Sequence, residues 1–284
     1  MGIFFIDFIL LNSYKIFMNE MLLVNRVAFS IGGVDIYWYG VVICLAILAV
    51  VVVAMLLCKR KNLQTDLPLN VALVILPTGI LCGRLFAVMF DDSLSIDQYF
   101  NFRTGGMSII GAIVGGAIGL TIYCLIKKEK NPLLLFDVLC SVLLLAQAIG
   151  RWGNYFNGEV YGQVIEASSV FARFPFAVEI DGTFYQALFF YESCLDLFGF
   201  AFTATTFLYE KNYGYTTAFY LTYYGIVRTI LEPLRQPEFI YQVGGIELSR
   251  LLSIFMIVIG VIMFFVLYFR NKKKATNGKN EKNS

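Results

Sequence analysis

From Trp38 to Cys58 the chain reads WYGVVICLAILAVVVVAMLLC, without one charged residue, and comparable runs recur along its length. A helix crossing the hydrocarbon core of a bilayer needs about 20 mostly apolar residues and satisfies its backbone N–H and C=O groups within the segment. Seven stretches fit, roughly 38–58, 68–90, 105–126, 132–150, 184–208, 215–232 and 247–269; the sixth is short and carries charge. The chain is 58% hydrophobic and only 15% charged. Soluble domains average about 25% charged residues, so this chain could not solvate a soluble surface. The pattern predicts an all-α polytopic membrane protein with about seven transmembrane helices. An N-terminal interfacial arm occupies 1–36, a seven-span domain with an outer-face segment at 151–183 occupies 37–270, and a basic, polar tail occupies 271–284. The opening MGIFFIDFILL lacks a basic leader and a small-residue cleavage site, which marks an arm rather than a removed signal. Residues 275–284 are polar and are expected to be disordered.

Loop charge sets the orientation. Lys59-Arg60-Lys61, Lys127-Lys128-Glu129-Lys130, Lys211 and the run Arg270 to Lys274 follow the odd spans, whereas Asp91, Asp92 and Asp97 follow the second. Positive loops stay in the cytoplasm, so the N-terminus is expected outside and the C-terminus inside. By this topology every Lys except Lys15 is cytoplasmic. Arg26, Arg84, Arg103, Arg151, Arg173, Arg228, Arg235 and Arg250 instead face outward or lie in the outer half of the membrane. Snorkelling to headgroups accounts for Arg26 and Arg173. It does not account for intramembrane Arg84 and Arg228, and a planar fork suited to two-point phosphate binding does.

Several functions are excluded early. A net charge of +2 gives no ground for nucleic-acid binding. The six cysteines form no C-x-x-C pair and the chain has no His, so neither a metal site nor a disulfide framework is expected. No inverted repeat relates the halves, and the inner halves of the spans offer little polar material beyond Asp137 and Asp196, which argues against a transporter.

Ionisable residues inside a membrane face the protein interior or water and are functional candidates. They occur at four places here. These are Arg84; Arg151, Asn154, Asn157 and Glu159 in GRWGNYFNGEVYG; Glu192 beside Tyr191; and Arg228, Glu232 and Arg235 in YYGIVRTILEPLRQPE. Arg228 and Glu232 are four apart and share a helical face, where a purely structural pair is the alternative. Gly111, Gly115 and Gly119 recur every four residues, a small-residue face for close helix packing. Gly105-Gly106-Met107-Ser108 opens the third span, where free N–H groups favour an anion.

GRWGNYFNGEVYG resembles the G-R-x-G-N-F-x-N-x-E-x-x-G signature of prolipoprotein diacylglyceryl transferases, with Tyr155 in place of Phe. Other pieces follow in that family's order: Tyr37-Trp38-Tyr39-Gly40, Gly83-Arg84, Gly105 to Ser108, Tyr224-Gly225 to Arg228, Glu232, and Arg235-Gln236-Pro237. The resemblance covers roughly 36–269. It implies a seven-span enzyme of the bacterial cytoplasmic membrane that moves the diacylglyceryl group of phosphatidylglycerol to the lipobox Cys of prolipoproteins, releasing glycerol phosphate. It implies no metal or cofactor. Arg151 and Arg228 would bind phosphate, and Glu159 and Tyr39 would join them as catalytic residues. Asn154, Asn157, Gly106, Ser108, Tyr224, Arg84, Glu192, Glu232 and Arg235 would bind substrate.

Two departures matter. The family's usual His after Met-Ser is Ile110 here, and of an H-P-x-Q-L-Y-E segment only Tyr191-Glu192 remains in Gln186 to Glu192. The thiol, of pKa about 8.5, then needs another route to its thiolate. Glu159, a tyrosine and arginine-assisted ionisation are the alternatives. The competing function is a lipid-binding relative that makes no thioether or serves another acceptor.

Overall fold

The computed structural model describes residues 26–90, 95–100, 106–129, 131–240, 242–243 and 246–280. Among these, seven long helices follow in order: α1 Trp38–Arg60, α2 Leu67–Phe90, α3 Ile109–Lys127, α4 Pro132–Asn157, α5 Leu188–Tyr209, α6 Tyr215–Leu231 and α7 Leu248–Asn280. Each coincides with one of the seven apolar stretches. Five of them, α1 to α4 and α7, are long and apolar enough to cross a membrane, and the protein is a polytopic membrane protein. The other two fall short for a physical reason. α5 buries Glu192 and Asp196, and α6 has only 17 residues and carries Arg228.

The all-α expectation needs amending, because three small antiparallel sheets sit in the connections. β1 Val27–Ile31 pairs with β2 Val34–Tyr37, within the expected N-terminal arm, whose residues 1–25 lie outside the described part. β3 Val164–Ile165, β4 Ala177–Ile180 and β5 Thr183–Gln186 form a sheet of order β3-β5-β4, and β6 Gln242–Val243 pairs with β7 Ile246–Glu247. Two-residue turns with both φ values positive match the twist of paired strands. Gly32-Gly33 and Asp181-Gly182 supply such turns. Two boundaries also shift. α4 continues through Asn157 rather than ending near 150, and α7 is helical to Asn280, where disorder was expected from 275.

The chain divides into two compact units, one running Val51–Leu139 and the other holding residues up to Val50 with those from Cys140 onward. In the first, α2 and α3 approach closely on the glycine face expected from sequence. A Cβ at Gly111 would lie 2.6 Å from Phe86 Cβ, and one at Gly115 would lie 2.6 Å from Cys82 Cβ. In the second, α6 and α7 pack where a Cβ at Gly225 would lie 2.7 Å from the Ser253 carbonyl. Leu144, Cys140 and Tyr220 form a buried cluster between α4 and α6, and Thr203 Oγ1 donates to the Ser141 carbonyl at 3.2 Å.

Candidate active site

The end of α4 is built by one glycine. Gly158 has φ +65°. Its N–H donates to the Tyr155 carbonyl at 3.1 Å, and the Glu159 N–H donates to the Asn154 carbonyl at 3.0 Å. This pair of bonds closes a helix only when the residue after its last one is left-handed, a conformation glycine adopts at no steric cost. The reversal lays Glu159 back along the helix. Its Oε1 accepts from Asn154 Nδ2 at 3.1 Å and from Asn157 Nδ2 at 3.2 Å. Glu159 lines a cleft of about 60 Å³ with Asn154, Tyr155, Tyr161, Val178 and Phe189. The ring of Tyr39 packs on the same helix, since a Cβ at Gly153 would lie 2.7 Å from Tyr39 Cδ2. The charges of Glu159 and Arg151 both act on its hydroxyl.

One turn further into α4, Arg151 joins an ion network that draws on α4, α5, α6 and the segment after α6. Arg151 Nη2 donates to Glu192 Oε1 and, at 3.3 Å, to the Tyr224 hydroxyl. Arg228 Nη1 donates to both oxygens of Glu192 at 3.3 Å, while its Nη2 donates to Glu232 Oε2 at 2.5 Å and to Ser249 Oγ at 2.8 Å. Arg235 adds contacts of 3.7 Å to Glu192 and 3.4 Å to Glu232. The side chains of Glu192 and Glu232 are 2% and 1% exposed, and that of Arg151 is the most open of the three arginines at 19%. Buried charges persist only when paired, and here each carboxylate holds at least two guanidiniums in place.

Arg235 is fixed from both sides of its own backbone. The Gln236 N–H donates to the Tyr161 carbonyl at 3.3 Å, Gln236 Nε2 donates to the Gly162 carbonyl at 3.0 Å, and Gly162 pairs with Arg235 as an isolated bridge. The segment after α6 is thereby clipped to the end of the GRWGNYFNGEVYG stretch. Burial lowers the Arg235 guanidinium to about 10, with Arg228 adding to the effect and Glu232 and Glu192 opposing it.

The remaining candidates lie in the Val51–Leu139 unit. Arg84 is wholly buried, and it donates to the Tyr99 carbonyl at 3.2 Å and the Gly106 carbonyl at 2.7 Å. Ser108 caps α3, its Oγ accepting from the Gly111 N–H at 3.3 Å. These contacts fix the segment that opens α3, and Ile110 stands in the first turn of that helix. Gly105 and Arg103 lie outside the described residues.

Within the larger unit the structure thus brings Arg151, Glu192, Tyr224, Arg228, Glu232 and Arg235 into one cluster and joins Asn154, Asn157 and Glu159 in another. Sequence reasoning missed Ser249, which no periodicity marks. It left Asp196 among the few inner-half polar residues, although the i, i+4 spacing from Glu192 places both on one face of α5.

Fold and site together define a polytopic, mostly helical membrane protein built around a buried arginine–carboxylate cluster. The prolipoprotein diacylglyceryl transferase family matches residues 26–266. Relatives named phosphatidylglycerol–prolipoprotein diacylglyceryl transferase include one from Clostridioides difficile, 34% identical over 89% of this chain and 99% of its own. One from Finegoldia magna is 35% identical over 84% of this chain and 94% of its own. A third, from Clostridium perfringens, bears the same name with the numeral 1 and is 34% identical over 88% and 97%. The chain belongs to the prolipoprotein diacylglyceryl transferase family.

Proposed function

We propose that this chain transfers the diacylglyceryl group of phosphatidylglycerol to the lipobox cysteine of prolipoproteins. The names of its relatives support the reaction. The observation that carries the mechanism is the distribution of unspent donors. Among the described residues, protein groups engage only Nη2 of Arg151, leaving Nε and Nη1, and Arg235 keeps Nη1. Arg228 has both terminal nitrogens committed to Glu192, Glu232 and Ser249. Arg151 and Arg235 therefore grip the lipid phosphate and Arg228 braces them, with Tyr224 completing the wall beside Arg151.

The chemistry follows from that grip. The cysteine sulfur attacks the glyceryl carbon bonded to phosphate, the S–C bond forms, and the C–O pair leaves on the phosphate oxygen. The guanidiniums stabilise the charge gathering on that oxygen in a site preorganised by its carboxylates. Glu159, oriented by Asn154 and Asn157, takes the thiol proton, and the Tyr39 hydroxyl feels the charges of both Glu159 and Arg151. Gly106, Ser108 and Arg84 hold the start of α3, a supporting role.

All seven helices cross the cytoplasmic membrane of a bacterium in this reading, with the N-terminus outside and the lysine-rich loops inside. The phosphate site then opens toward the outer leaflet, where phosphatidylglycerol and exported prolipoproteins meet. Incubation of purified protein with labelled phosphatidylglycerol and a lipobox peptide tests the assignment. Label should appear on the peptide as a thioether and be lost in Arg151→Ala; lipid binding without any transfer would defeat the reading.

A further inference from the structure

Asp196 is a buried acid beside this network that takes no part in its hydrogen bonds or ion pairs among the described residues. It lies four residues beyond Glu192 on α5 and is fully buried, and neither carboxyl oxygen has a hydrogen-bond partner among the described residues. Charged groups on three helices act on it. Glu192 acts on it from its own helix, Arg151 from α4, and Arg228 from α6. Tyr220, Tyr223 and Tyr224 on α6 also lie within its electrostatic reach. None of their hydroxyls hydrogen-bonds Asp196: Tyr223 donates to the Leu195 carbonyl at 2.7 Å, while Tyr220 accepts from Gln147 Nε2 at 3.1 Å and Tyr224 accepts from Arg151.

The charge count gives this carboxyl a task. Three guanidiniums face two paired carboxylates, Glu192 and Glu232, leaving one positive charge in the network. In the empty site that surplus can offset an ionised Asp196. A phosphodiester on Arg151 and Arg235 brings its own negative charge and cancels the surplus. An ionised Asp196 would then be a buried charge with neither partner nor balance, a state that protonation relieves. Glu192 and Glu232 cannot absorb the change as readily, because each is held by at least two guanidiniums.

We propose that Asp196 sets the proton balance of the site, accepting a proton when an anionic phospholipid occupies the arginines, so that lipid binding and proton uptake are linked. Asp196 touches no substrate and acts through the arginines as a positioning residue. The inference rests on the phosphate reading of the arginine cluster.

Titration calorimetry of the full-length, detergent-solubilised chain with dioctanoyl phosphatidylglycerol tests this, repeated in buffers of different ionisation enthalpy between about pH 6 and about pH 9. Wild type should take up a proton on binding, with uptake rising toward about one per lipid as the pH increases. Asp196→Asn should still bind lipid with no such uptake, and Asp196→Glu should restore it. Unchanged uptake in Asp196→Asn, or Arg151-dependent binding to wild type without proton exchange, would overturn the inference and leave the phosphate reading intact. Binding that ignores Arg151→Ala would remove both. Should Asp196→Asn fail to fold, the lipid-minus-empty infrared difference spectrum of wild type decides. A new protonated-carboxyl band supports the proposal, and its absence refutes it.

Discussion

Arg228 Nη1 lies 3.3 Å from each carboxylate oxygen of Glu192, one helix facing the next across the buried centre of the larger unit. Arg151 and Arg235 contact the same carboxylate, so Glu192 is the point at which three guanidiniums are held together. Removing its charge leaves them to repel one another in a medium that screens poorly. Glu192→Gln should therefore destabilise the protein by about 3–5 kcal/mol, the cost typical of breaking a buried pair. Thermal unfolding in detergent checks this, and an unchanged midpoint would deny Glu192 that role.

Arg228→Lys keeps the charge and loses the fork. A lysine ammonium is a single point and cannot reach Glu192, Glu232 and Ser249 together as two guanidinium nitrogens do. Transfer to a lipobox peptide should fall by at least about tenfold, a change of about 1.4 kcal/mol in the barrier. Near-normal turnover would show that the brace is dispensable.

The helices were legible as long apolar runs, and five of them, α1 to α4 and α7, have the length and composition that a bilayer demands of whatever crosses it. The pairing of Arg228 with Glu232 was legible for the same local reason, four residues being about one turn. What local pattern could not give is partner choice across helices. Nothing in FFYESCLD says that Glu192 will collect guanidiniums from Arg151, Arg228 and Arg235, residues 41, 36 and 43 positions away. Nor did it show that Arg228 would spend its donors on protein while Arg151 kept some. The hairpins were readable in principle from Gly32-Gly33 and Asp181-Gly182, but membrane hydropathy drowns so short a signal.

Gly158 is required by its backbone rather than by any contact: φ is +65° and no heavy atom lies within 4 Å of a Cβ built there. Gly158→Val should cost at least about 1 kcal/mol, because a β-branched residue resists the left-handed region. The same change displaces Glu159 from Asn154 and Asn157. Transfer should therefore fall while lipid binding, which we propose rests on the arginines, persists. Separate measurements of binding and turnover check the split, and equal losses of both would tie Glu159 to the phosphate instead.

The close approach of α2 and α3 predicts a purely structural defect. A Cβ at Gly115 would lie 2.6 Å from Cys82 Cβ and closer still to the Thr78 carbonyl oxygen. Backbone cannot yield as a flexible side chain can, so Gly115→Leu must part the two helices and forfeit their packing. Overpacking of this kind costs typically about 1–3 kcal/mol, and the alternate small-residue positions Gly111 and Gly119 on the same face offer no slack. The expected result is a lowered unfolding midpoint for the purified variant. Gly116→Leu, whose Cβ would meet only Ile75 Cγ2 at an ordinary 3.5 Å, should be far milder. Equal destabilisation by the two would mean that the glycine face does not set the α2–α3 distance.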